Sequence, residues 1–190
     1  MTVTVLTPAT PERLSTTLPR AAASVYAQTL APAGHYVGID YLGDGPAVTR
    51  NRLLESVSTE FVAFLDDDDE LHPHHLEVLQ RLAEESGAAV VYSCHDGAGA
   101  GLEHEFNHDE LERRNYIPVT VLARTEAVLE VGGFPDLQAG EDWALWILMA
   151  RAGFHFEWLP RVTWTYHRST TGRHATRPTD AREEVLRHVG

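Results

Sequence analysis

Hydrophobic and polar positions along the chain switch repeatedly between a period near two and a period near 3.6. Val3-Thr4-Val5-Leu6 predicts a β-branched strand ended by Thr7-Pro8. Leu14, Leu18, Ala22 and Val25 then recur at helical spacing, and Pro19, favoured in a first helical turn, marks where the regular helix starts. Tyr36-Val37-Gly38-Ile39 predicts a second strand closed by Asp40, followed by a turn at Gly43-Asp44-Gly45-Pro46 and a helix from Val48 to Val57. Phe61-Val62-Ala63-Phe64-Leu65 is a continuous apolar run, the pattern of a strand buried on both faces, and it stops abruptly at Asp66-Asp67-Asp68-Asp69. Pro73 to Ser86 predicts an amphipathic helix on Leu76, Leu79, Leu82 and Ala83, with Gly87 placed as its C-cap.

The second half continues the alternation less regularly. Ala89 to Ser93 predicts a strand, and the Gly-rich, acidic stretch from Asp96 to His108 a mobile loop. A strand at Val119–Ala123, a short helix at Glu126–Val131, a Gly132-Gly133 turn and a helix from Trp143 to Ala152 follow. Phe154-Phe156-Trp158 and Val162-Trp164-Tyr166 predict two late strands, with a flexible tail from about residue 169. Strands alternating with helices imply one α/β domain over 1–190, a layered fold on a mainly parallel sheet. Ligands of such sheets bind at the carboxyl ends of strands, which is where the acid run falls.

Composition narrows the function. A net charge of -13 disfavours nucleic acid as a partner. All 15 basic residues are Arg, so neither a Schiff-base lysine nor a P-loop lysine is available. Cys94 stands alone in an apolar stretch, which excludes an internal disulfide and predicts a buried structural thiol. Met1 to Leu6 has the pattern of a strand rather than a signal peptide, and the apolar segment from Trp143 to Ala152 is too short to span a bilayer; a cytoplasmic protein is the expectation.

Four adjacent carboxylates repel one another, and a hard divalent cation with oxygen ligands would neutralise them. A solvated acidic loop before the Pro73 helix is the plainer alternative. An EF-hand fails on register: Asp66, Asp68, Glu70 and Glu77 take loop positions one, three, five and twelve, but Leu71 stands where Gly is required.

At this point several motifs, taken together, resemble family 2 glycosyltransferases of the GT-A fold. Phe61 to Asp69 followed by Pro73 is similar to that family's strand and DXD motif; Thr7-Pro8 with Ala27-Gln28-Thr29 to its opening strand and first helix. Thr49-Arg50-Asn51 matches its Arg-Asn pair, Val131-Gly132-Gly133-Phe134 its GGF, and Gly140-Glu141-Asp142-Trp143 its ED motif. The likeness spans residues 3 to 168 in the family's order. It implies a Rossmann-like, three-layer sandwich and an inverting, hexosyltransferase-like transfer of sugar from a nucleotide-sugar, with a UDP-linked donor expected.

The resemblance also implies roles. Asp68 would ligate Mn²⁺ or Mg²⁺ and Asp66 would reach the metal or the ribose, while Thr7, Pro8, Asp40 and Arg50 would line the nucleotide site. Asp40-Tyr41-Leu42-Gly43-Asp44 departs from the family's Asp-Asp-Gly-Ser, which puts the uracil contact in question. Asp142 would be the general base, supported by Glu141; the plainer role of both is to cap the helix dipole. His167 stands where some such enzymes supply a late metal ligand, and Arg168, with Arg173, Arg177, Arg182 and Arg187, could fold over a diphosphate, the plainer alternative being a frayed, solvated terminus.

Two other classes compete. A metal-dependent hydrolase would use the acid run with His72, His74 and His75, although these histidines more simply decorate the start of a solvated helix. A non-catalytic nucleotide- or carbohydrate-binding module of the same fold is the other. A sugar nucleotidyltransferase fits poorly, because Thr7 to Pro11 contains no Gly. The acceptor (glycan, protein or small molecule) is not specified. Its site could be completed by the Asp96–His108 loop or by a second subunit in a homodimer, and Trp143, Trp146, Trp158 and Trp164 are either sugar-stacking or core.

Overall fold

A computed structural model describes residues 2–97, 100–167 and 181–190 and builds them around one seven-stranded sheet. The strands are β1 (Val3–Ala9), β2 (Gly34–Ile39), β3 (Phe61–Phe64), β4 (Glu70–Leu71), β5 (Val90–Gly97), β6 (Val121–Arg124) and β7 (Phe156–Tyr166), in the order β2-β1-β3-β6-β5-β7-β4. The three longest pairings, β1 with β2, β1 with β3 and β5 with β7, are parallel, while β6 and β4 pair antiparallel. The sheet is mixed and mostly parallel.

Helices α1 (Leu18–Tyr26), α2 (Pro46–Leu54), α3 (His75–Ser86), α4 (His108–Leu111), α5 (Thr125–Glu130), α6 (Glu141–Arg151) and α7 (Ala181–Val189) complete the layers. Successive side chains of a strand point to opposite faces, so each apolar strand feeds two cores. Val3, Val5, Phe61, Ala63 and Leu65 pack with Ala21 and Val25 of α1 and with Leu76 and Leu79 of α3. Leu6, Val62 and Phe64 pack on the other face with Leu54, Val128, Trp146 and Val185 of α2, α5, α6 and α7. Helix–sheet–helix is the three-layer arrangement expected of the GT-A fold.

The differences from the sequence reading have local causes. β1 continues through Thr7-Pro8 to Ala9, because β3 pairs only with Val3–Leu6 and the missing Pro8 amide lies beyond that ladder. The two late strands are one, β7, which absorbs a bulge where its register with β5 shifts around Cys94. Residues 100–108, expected as a mobile loop, are held to the sheet at three points. Tyr92 Oη donates to the His104 carbonyl at 2.6 Å, His95 Nε2 lies 3.0 Å from Glu103 Oε1, and the Phe106 ring stacks on Phe156. The tail ends in α7, whose Val185 and Val189 are buried, so over 181–190 a docked helix replaces a flexible terminus. Trp143, Trp146 and Trp164 are core residues and Trp158 is half-buried. Cys94 is also only half-buried, opposite Val162 where the register shifts. No helix among the described residues is long and apolar enough to cross a membrane.

Candidate active site

The acid run begins where β3 leaves the sheet. Its backbone turns at once, with the Asp69 amide donating to the Asp66 carbonyl at 3.2 Å, and this gathers the carboxylates. One oxygen each from Asp66, Asp68 and Asp69 lies within 4.8 Å of the others. Three carboxylates at that separation suit a hard divalent cation, so the donor set fits Mn²⁺ or Mg²⁺. Asp69, which is 2% exposed, is the member the sequence reading did not select.

Each acid also has an internal partner. Asp66 Oδ1 accepts from Arg50 Nη2 at 2.5 Å. Arg13, on the single 3₁₀ turn after β1, places Nη1 2.6 Å from Asp67 Oδ1 and 2.5 Å from Asp68 Oδ2. Asp69 Oδ1 accepts the His167 amide at 2.9 Å. Burial pushes the Asp67 carboxyl up to about 6 against the opposing pull of Arg13. Burial, reinforced by the charge of Asp66, pushes Asp69 up to about 8 and raises Asp68 as well. Burial and mutual repulsion thus disfavour the charged forms of these acids, and a bound cation would offset both.

Arg50 is the centre of the arrangement. Its guanidinium, 2% exposed, reaches Asp66 through Nη2 and Glu141 Oε1 through Nη1 at 3.0 Å, and its cation lies 5.1 Å from the centre of the Phe134 ring. Its neighbour Asn51 clamps the GGF segment, donating to the Phe134 carbonyl at 2.8 Å and accepting the Phe134 amide at 2.9 Å. Gly133 is required there: it has φ +76°, and a Cβ would meet Asn51 Oδ1 at 2.6 Å. Two sequence motifs far apart in the chain therefore meet around one buried cation.

Glu141 and Asp142 open α6 behind Gly140, which takes the left-handed φ of 77°. The Glu141 carboxylate is committed to Arg50. Asp142 is half-buried, with Oδ1 accepting the Trp143 amide at 2.8 Å and Oδ2 accepting from Asn115 Nδ2 at 3.2 Å. Asn115 is a further residue of the candidate site that no motif disclosed, since only the fold brings it to α6.

The other expected positions lie apart from this cluster or beside it. Asp40 closes β2 and accepts the Asp44 and Gly45 amides at 2.9 and 2.7 Å, so both its oxygens shape the loop into α2. Thr7 is buried with its hydroxyl 2.9 Å from His35 Nε2, and Pro8 sits in β1 beside it. His167 turns its Nε2 to Glu70 at 2.7 Å, outside the three-carboxylate group. Arg168, Arg173 and Arg177 lie outside the described residues.

The three histidines near Pro73 diverge. His72 contacts Thr165, His74 contacts Glu77, and His75 is buried on Thr163. His75 is therefore core rather than a solvated helix start, and none of the three joins a metal-ligating group among the described residues.

Comparison with known proteins places the fold and the family. The chain is 40% identical over 73 residues to a GalNAc(5)-diNAcBac-PP-undecaprenol beta-1,3-glucosyltransferase of Campylobacter jejuni, covering 38% of this chain and 24% of that protein. It is 29% identical over 134 residues to the pre-mycofactocin glycosyltransferase of Mycobacterium tuberculosis, covering 61% of this chain and 28% of that protein. The chain thus spans about a quarter of the length of these curated relatives. Among solved structures, S. aureus TarS 1-349 in complex with UDP-GlcNAc superposes with a TM-score of 0.79 at 16% identity, over 100% of this chain and 65% of that one. The mannosyltransferase PcManGT from Pyrobaculum calidifontis, in complex with GDP-Man and Mn²⁺, gives 0.69 at 17% identity, over 92% and 59%. These two share the fold. The family model described as "Glycosyl transferase family 2" matches residues 19–134, more than half of the sequence, and the chain belongs to that family.

Proposed function

We propose that this chain is the catalytic domain of a metal-dependent, inverting glycosyltransferase that uses a nucleotide-sugar, with a UDP-sugar as the first candidate. One observation carries the reading: buried Arg50 ties Asp66 of the acid run to Glu141 beside Asp142. A donor-binding half and an acceptor-activating half are thereby held in one site. The TarS and PcManGT complexes, which contain UDP-GlcNAc and GDP-Man, support a nucleotide-sugar as the donor class.

Asp66, Asp68 and Asp69 would hold the metal, which when bound supplies positive charge to the leaving diphosphate. Arg50 fixes the direction of the Asp66 carboxylate and shields it from its acidic neighbours. The Asp142 carboxylate takes the proton from the acceptor hydroxyl as its oxygen attacks the sugar carbon opposite the leaving group. Asn115 and the Trp143 amide hold that carboxylate in one orientation. Glu141, already paired, is the weaker candidate for the base.

The test is calorimetric titration of UDP, GDP, TDP, ADP and CDP with Mn²⁺, with Mg²⁺ and with EDTA, on the wild type and on Asp68→Ala. Metal-dependent binding of one nucleotide, lost in the variant, is expected and names the donor class. Metal binding indifferent to nucleotide would move the assignment to a hydrolase, and nucleotide binding indifferent to metal and to Asp68 to a non-catalytic module.

A further inference from the structure

The acid run contains one ion pair whose partner is well placed to change. Arg50 is buried and anchored at two ends, so its hold on Asp66 is part of the core. Arg20 touches the run through the Asp68 carbonyl, at 2.6 Å, and through Glu70, leaving the Asp68 carboxylate alone. Arg13 differs from both. Its Nη1 sits on Asp68 Oδ2, a carboxylate of the three that fit a cation, and it belongs to a turn, Pro11–Arg13, with no buried residue. The Arg13 side chain is 22% exposed on a surface turn, and if it leaves, Asp67, which it also holds at 2.6 Å, keeps the Thr10 amide at 3.3 Å.

We propose that Arg13 is a displaceable counter-ion that competes with the divalent cation for Asp68 and then pairs with the diphosphate of the donor. The proposal rests on the nucleotide-sugar reading above. Arg13 already holds Asp68 Oδ2 at 2.5 Å, and its charge repels a divalent ion at the same carboxylate, so occupation of Asp68 by metal favours release of Arg13. A released guanidinium on a short tether remains beside the acid run, and its fork matches the oxygens of a phosphate. Metal alone is therefore bound weakly, and metal with diphosphate tightly, because only the second arrangement gives Arg13 a new anion. The same residue opposes an unproductive metal complex and favours the productive one.

The experiment measures Mn²⁺ alone, then a nucleoside diphosphate at saturating Mn²⁺, on wild type, Arg13→Gln, Arg13→Lys and Arg20→Gln, with thermal melts to verify folding. For Arg13→Gln, Mn²⁺ alone should bind on the order of tenfold tighter and the nucleotide on the order of tenfold weaker, a scale between that of an exposed and a buried charge pair. Arg13→Lys, which keeps the charge, should stay within about threefold of wild type for Mn²⁺. Unchanged Mn²⁺ affinity in Arg13→Gln overturns the proposal, as does an equal tightening in Arg20→Gln, which would reduce the effect to net charge. Undetectable Mn²⁺ binding in every chain overturns it too. If wild type binds Mn²⁺ but no nucleoside diphosphate, the donor reading fails, and the Mn²⁺ arm still decides the competition.

Discussion

Replacing Arg50 by Met preserves the length and much of the volume of the side chain while deleting its charge. The guanidinium is 2% exposed, and its two partners, Asp66 and Glu141, have side chains 29% and 14% exposed. Removing one member of a buried ion pair costs about 3–5 kcal/mol, because the remaining charge is left without compensation. Asp66 is open enough to recover some hydration, which places the expected loss near the lower bound, about 3 kcal/mol. With a urea dependence of about 2–3 kcal/mol per molar, the unfolding midpoint should fall by roughly 1 M. Glu141→Gln in the same background removes one stranded charge and should return about 1 kcal/mol, a non-additivity that a double-mutant cycle reads directly. A loss under about 1 kcal/mol for Arg50→Met, or strict additivity of the two changes, would refute the view that this cation holds the two halves together.

Three further outcomes are expected. Burial drives His75 down to about 3 from its ordinary 6.5, so the folded chain keeps the ring neutral while the unfolded chain protonates it. Stability from this group is complete above pH 6.5 and falls by about 1.4 kcal/mol per unit as pH drops toward 3; His75→Gln should flatten that slope in urea melts, and an unaltered slope would count against it. Asp142→Asn should lower turnover by about 10²–10⁴-fold while donor affinity, measured calorimetrically, stays put; weakened donor binding instead would make Asp142 a binding residue. Gly133→Ala forces a side chain into a left-handed backbone and against Asn51, at a cost of about 2 kcal/mol, or a melting temperature lower by roughly 4–8 °C. An unchanged melt would show that the Asn51 clamp yields freely.

Much of the architecture was legible in sequence because it rests on local rules. The run Phe61–Leu65 reads as a doubly buried strand, and each of its residues is at most 1% exposed. Gly87 was readable as a cap, and it takes φ 72° after α3. What escaped was governed by partners distant in the chain. The strand β1 passes through Pro8 only because β3 stops short, and the turn residues near 160 become a bulge only because β5 runs alongside. His75 looks polar and solvated until Thr163, 88 residues later, supplies a hydroxyl at 2.8 Å inside the core.

The site divides along the same line. Sequence points to Asp66, Asp68, Arg50, Glu141 and Asp142 by resemblance, without saying which of them touch. The structure links Asp66 to Glu141 through the Arg50 guanidinium, and that changes the division of labour between neighbours. Glu141 and Asp142 are adjacent acids at one helix start, equal by sequence; Arg50 engages the first, while Asn115 and the Trp143 amide orient the second. The acids of the run are likewise equal by sequence, yet each has a different partner: Arg50 for Asp66, Arg13 for Asp67 and Asp68, and the His167 amide for Asp69. A carboxylate held by an anchored cation serves as scaffold, whereas one held by a cation on an exposed turn can exchange it. On that distinction Asp66 would be the fixed side of the proposed cation site and Asp68 the adjustable side, so substituting Asp68 should impair metal binding with less loss of stability than substituting Asp66.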